Sequence, residues 1–112
     1  MDVKFEKQDR TLTVFLRGEI DHHAAGGLRE QIDGAVVSGG IVCLVLDFSE
    51  VSFMDSSGVG LILGRYKLLC ARGGKLTVRG MTARYLAMMK MAGMEKLGIL
   101  QTEESATNES NQ

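Results

Sequence analysis

Phe53-Met54-Asp55-Ser56-Ser57-Gly58-Val59-Gly60-Leu61-Ile62-Leu63-Gly64 joins the strongest strand signal of the chain to its strongest helix signal. Continuous apolar residues from Ile41 to Asp47 precede it, and helical spacing of apolar residues follows it. Asp55, Ser56 and Ser57 fall at the handover, where their oxygens can cap the first free N–H groups of a helix. A hydroxyl in that position is either a cap or a site of chemistry.

Working outward, the helix after Asp55 is expected to run to about Ala71, stop at Gly73-Gly74 and give way to an alternating strand, Lys75 to Arg79. Upstream, Gly39-Gly40 closes a helix in which Leu28, Ile32, Ala35 and Val36 recur at helical spacing, with Asp21 as its N-cap. Gly26, Gly27 and Gly34 lie inside that helix at a cost of about 1 kcal/mol each against alanine, so packing must hold it. Val3 to Glu6 and Leu12 to Arg17 alternate around the polar turn Lys7-Gln8-Asp9-Arg10 and predict an opening hairpin. A third helix is predicted from a Thr82 cap through Tyr85, Leu86, Met88 and Met89 to Gly93, then a short strand from Leu97 to Leu100.

The order β-β-α-β-α-β-α-β predicts an α/β domain over residues 1–101: a mixed sheet with an N-terminal antiparallel hairpin followed by right-handed βα crossovers. If each crossover steps one strand in the same direction, the helices share one face and the other face is partly wet. Lys75, Thr77 and Arg79 fit such a face. Residues 102–112 are polar and aperiodic and predict a disordered tail.

The 112 residues are 45% apolar and carry a formal net charge of −1 with the signs interspersed. That balance favours neither nucleic acid nor an anionic membrane as a partner. No apolar run reaches the roughly 20 residues that span a bilayer, and the N-terminus lacks a secretory core, so a cytoplasmic protein is expected. Cys43 and Cys70 lie in apolar patterns without metal-ligand or dithiol spacing, so no metal or other cofactor is called for, and both are expected as reduced core residues. Met88, Met89, Met91 and Met94 read as adaptable core filling or as a soft binding surface.

Placed 100° apart, Val59, Ile62, Leu63, Tyr66, Leu69 and Cys70 fill the arc expected to pack on the sheet. The opposite arc holds Ser57, Gly60, Leu61, Gly64, Leu68 and Ala71, flanked by Arg65 and Arg72, where a solvated helix would carry Lys and Glu. A small, apolar exposed face predicts a docking surface. Gly58, Gly60 and Gly64 approximate a dinucleotide loop, but the next strand ends at Arg79-Gly80 instead of an acidic residue. Ser56, Asp21, Asp55, His22 and His23 supply the residue types of a hydrolase, without the Gly-x-Ser-x-Gly elbow. The third reading is covalent regulation: a phosphate at a helix start meets free N–H groups and the positive end of the dipole, and adds nearly two negative charges beside the docking face. Position alone leaves Ser56 and Ser57 equivalent.

Three blocks, Gly18-Glu19-Ile20-Asp21-His22-His23, Ser52-Phe53-Met54-Asp55-Ser56-Ser57-Gly58 and Ile62-Leu63-Gly64-Arg65-Tyr66-Lys67, together resemble STAS-domain anti-sigma factor antagonists, most closely the branch acting in the sporulation sigma-F pathway. The similarity runs from the hairpin to the last strand. It implies a STAS fold and a protein without catalysis of its own. It implies as partner an anti-sigma factor that is also a serine kinase and binds the ATP, and a metal-dependent serine phosphatase that reverses the modification. Carried over by motif, Ser56 becomes the phosphoacceptor, Asp21 the acidic residue near it, and Ser57 to about Arg65 the partner-facing helix. The expected partner-binding set is therefore Asp21, His22, Asp55, Ser57, Gly58, Gly60, Leu61, Gly64 and Arg65. An antagonist for a general stress-response sigma factor shares the Asp-Ser-Ser-Gly core and is the alternative within the fold. A small hydrolase or nucleotide-binding protein is the alternative outside it.

Overall fold

Gln8 pairs with Thr11, so Asp9 and Arg10 alone turn the chain between β1 (Asp2–Gln8) and β2 (Thr11–Ile20). Asp9 takes a positive φ of 57°, a conformation its short polar side chain tolerates. The computed structural model describes residues 1–101; the predicted tail lies outside them. After the hairpin come α1 (His22–Ser38), β3 (Cys43–Met54), α2 (Ser56–Ala71), β4 (Lys75–Arg79), α3 (Ala83–Met91), a 3-10 turn (Met94–Leu97) and β5 (Leu100–Gln101).

The strands form one sheet in the order β1-β2-β3-β4-β5, antiparallel at β1–β2 and parallel elsewhere. Every parallel crossover moves to the adjacent strand in one direction, which with right-handed connections sets all three helices on one face. That face buries Leu12, Val14 and Leu16 of β2, Leu44 and Leu46 of β3, and Leu76 and Val78 of β4. Leu28, Ile32 and Val36 of α1 and Leu61, Ile62 and Leu69 of α2 close over them.

The opposite face carries two cross-strand rows, Thr13, Val45, Thr77 and Phe15, Asp47, Arg79. Arg79 Nε donates to Asp47 Oδ2 at 2.8 Å, and its guanidinium carbon lies 5.8 Å from the Phe15 ring centre, within cation–π range. Lys4 Nζ approaches the same ring to 6.0 Å. The predicted wet face is thus half-covered by its own long side chains.

Three expectations need correcting. β3 does not stop at Asp47 but runs to Met54. Asp47 can sit buried inside it because its carboxylate accepts the Ser49 N–H at 2.9 Å as well as the Arg79 bond. Past two register shifts β3 continues along β2 as far as the pair Ile20 and Met54. The predicted last strand begins too early, since Leu97 closes the 3-10 turn and Gly98, at φ 68°, redirects the chain before Leu100. The cysteines are not both core residues: Cys43 is half-buried and Cys70 is exposed. Of the methionines, Met89 and Met94 fill the core, Met88 packs at its margin, and Met91 is 90% exposed.

Candidate functional site

The last pair of the β2–β3 ladder, Ile20 with Met54, is followed on both strands by an aspartate that opens a helix. Asp21 Oδ1 accepts the Ala24 N–H at 2.9 Å, and Asp55 Oδ1 accepts the Ser57 N–H at 2.8 Å. The Asp55 N–H donates to the Ile20 carbonyl at 3.2 Å, which ties the two junctions together. The N-termini of α1 and α2 therefore start side by side, at the C-terminal end of the parallel strands. Open α/β sheets characteristically bind at that end. The Ala24 N–H holds the Asp21 carboxyl below the usual carboxylate range, against a weaker opposing push from burial.

Between the two helices lies a groove of about 460 Å³, lined by His22, Ala25, Gly26 and Arg29 of α1 and by Ser57, Gly60, Leu61, Gly64 and Arg65 of α2. Of the residues expected to meet a partner, the structure brings His22, Ser57, Gly60, Leu61, Gly64 and Arg65 to this one groove. Asp21 instead borders a second cleft, on the other flank of the α1 N-terminus, with Glu19 and His23. Ser56, in the first turn of α2, is exposed, whereas Ser57 is half-buried.

The expectation of a freely exposed small-residue face on α2 is corrected in part. Leu61 is 4% exposed and Arg65 5%, because α1 covers that side of α2 while the sheet covers another. Burial on two sides widens the buried arc beyond the single stripe that periodicity suggests. Arg65 Nε approaches Asp33 Oδ1 of α1 to 2.7 Å, off the axis of a hydrogen bond, and its Nη1 donates to the Leu61 carbonyl at 3.3 Å. Burial lowers the Arg65 pKa from its ordinary value, opposed by Asp33 and reinforced by the nearby Arg29.

The three glycines of α2 play different parts. A Cβ on Gly58 would collide with the Met54 side chain and touch Ile20, so this glycine lets the helix sit down on the strand end. A Cβ on Gly60 or Gly64 would meet nothing within 4 Å. The fold does not require glycine at either position.

Ala25, Gly26 and Arg29 are groove residues that the sequence reading did not single out. Gly26 carried the available signal, an interior helix glycine with nothing within 4 Å of its Cβ direction, the same condition as Gly60. Among the described residues no hydrolytic arrangement is assembled, since the two candidate carboxylates accept backbone N–H groups and neither orients a histidine. Among the described residues, no group of three His, Cys, Asp or Glu side chains could hold a metal ion, and no helix is long and apolar enough to cross a membrane.

These features define a small α/β module with two capped helix N-termini paired at the C-terminal end of its parallel strands. The chain belongs to the STAS domain family, whose model matches residues 2–106. It is 36% identical over 97 residues to the anti-sigma F factor antagonist of Paenibacillus polymyxa, spanning 87% of this chain and 83% of that one. It is 31% identical to the anti-sigma-B factor antagonist of Listeria monocytogenes over 99% of both chains. The fold superposes on the unphosphorylated antagonist SpoIIAA with a TM-score of 0.80 at 30% identity, covering 98% of this chain and 96% of that one. The phosphorylated form of the Bacillus SpoIIAA gives 0.74 at 30% identity, covering 97% and 99%.

Proposed function

We propose that this protein is an anti-sigma factor antagonist whose unphosphorylated form captures an anti-sigma factor through the α1–α2 groove and its rim, freeing a sigma factor. The observation that carries this reading is the pair Gly60 and Gly64. Each weakens the helix by about 1 kcal/mol relative to alanine, and neither is needed for packing inside the chain. Glycines of that kind permit the close approach of another backbone. Asp21, His22, Asp55 and Ser57 ring the same junction, and all act in a cytoplasmic protein without catalysis or cofactor of its own.

The switch is phosphorylation of Ser56 by the anti-sigma factor acting as an ATP-dependent serine kinase, reversed by a metal-dependent serine phosphatase. Exposure supports Ser56 over Ser57, since a kinase must reach the hydroxyl. Phosphate adds nearly two negative charges next to the Asp55 cap at the edge of the docking groove, where desolvation and like-charge repulsion act against a bound partner. Similarity to a sigma-F antagonist and the three sequence blocks favour the sporulation branch. Similarity to a sigma-B antagonist over 99% of the chain supports the stress-response branch as the second reading.

The test is incubation with the cognate anti-sigma factor and ATP, followed by mapping the phosphate by mass spectrometry. Labelling on Ser56 together with loss of the complex is expected. Labelling confined to Ser57, or no labelling with intact capture, would overturn the switch. Using purified sigma-F and sigma-B anti-sigma factors in parallel separates the two branches.

A further inference from the structure

We propose that the α1–α2 groove receives an acidic side chain, Asp or Glu, from the bound partner, with Arg29 as its receptor. This rests on the groove being the partner site. The groove lining contains two guanidiniums, Arg29 and Arg65, and no carboxylate. Asp33 stands one turn beyond Arg29 on α1, the i+4 position at which an ordinary surface pair forms. Its carboxylate lies instead 2.7 Å from Arg65 of α2. Among the described residues Arg29 is thus left without a carboxylate within 4.0 Å, and the trio Arg29, Arg65 and Asp33 keeps one positive charge in excess.

Arg65 is 5% exposed and sits in a low-dielectric wall, where its charge reaches further than in water. Among the described residues its five N–H donors meet only Asp33 and the Leu61 carbonyl. The groove opposite is walled by Gly26, Gly60 and Gly64, which bring an incoming chain close enough for a short acidic side chain to reach the guanidinium. A carboxylate docked there gains a charge-assisted, bidentate-capable partner and neutralises the excess charge. A basic or apolar side chain would leave Arg29 desolvated and unpaired.

The experiment is a charge swap with the purified cognate anti-sigma factor. Arg29→Glu is expected to weaken capture of unphosphorylated protein roughly ten- to a hundredfold, Arg29→Lys much less, and the loss should shrink at high salt. Single Asp→Lys or Glu→Lys substitutions across the partner's docking face are then tested against the native chain and Arg29→Glu. One of them should restore affinity for Arg29→Glu at least tenfold while weakening the native pair. Thermal melting of Arg29→Glu checks that the fold is kept. Binding of Arg29→Glu within twofold of native, or a loss that no partner substitution repairs, overturns the proposal. If Gly60→Glu still abolishes capture in that case, the groove remains the partner site without an acidic anchor. Failure of the native chain to bind at all would remove the wider functional reading instead.

Discussion

At the scale of single residues, Gly58 and Gly60 stand two positions apart in one helix and answer to different constraints. Gly58→Ala forces a methyl group into Met54 and should destabilise the protein by about 1–3 kcal/mol, as overpacking does. Gly60→Ala places its methyl in open space and should raise stability by up to about 1 kcal/mol while weakening partner capture. Urea denaturation and a binding titration on both variants check the pair of outcomes together. Ser56 is tested in the same spirit: Ser56→Asp should weaken capture roughly tenfold or more, and Ser56→Ala should retain it, read by titration with the anti-sigma factor. Equal affinities for the two variants would mean that charge is not the switch.

The helices α1 and α2 are joined by an ion pair whose two ends are unequally wet. The Arg65 side chain is 6% exposed and that of Asp33 is 35% exposed. Removing the carboxylate strands a buried cation, and removing the guanidinium leaves an acid that water can reach. Asp33→Ala should therefore cost about 2–3 kcal/mol, and Arg65→Met about 1 kcal/mol or less, measured by urea denaturation. The inequality of the two losses is the expected signature. This pair also marks where sequence reading ran out. The interior glycines, the aspartate caps and the core positions of α1 were legible because caps and periodicity are local properties. The burial of Leu61 and Arg65 depends on α1 lying against α2, and no spacing within α2 alone encodes it. Arg29 escaped notice because a single arginine on a helix surface is ordinary until its i+4 carboxylate is found engaged elsewhere.

For the molecule as a whole, strand order and helix placement followed from the alternation of elements, since short βα crossovers leave few topologies open. The length of β3 did not follow, because a buried Asp47 looks like a strand end until Arg79 and the Ser49 N–H are seen to satisfy it. That carboxylate also ties stability to pH. Burial raises its pKa, but the bonds from Ser49 and Arg79 outweigh burial and hold it below the ordinary value. A depressed folded pKa means the stabilisation is complete above the unfolded value of about 4 and is lost as pH falls through the folded value. Denaturation from pH 7 to pH 2 should show Asp47→Asn less stable than the native chain near neutrality, with the difference narrowing in acid.

The hydrogen bond from the Asp55 N–H to the Ile20 carbonyl also bears on how the proposed switch would work. It leaves no loop between the sheet and the serine, because the residue before Ser56 is bonded to the end of the β2–β3 ladder. In the proposed switch, a phosphate on Ser56 would find no loop hinge between itself and the sheet. The effect of the proposed phosphate on a partner is therefore expected at the surface, in place, with the protein ready for its next encounter once the phosphate is removed.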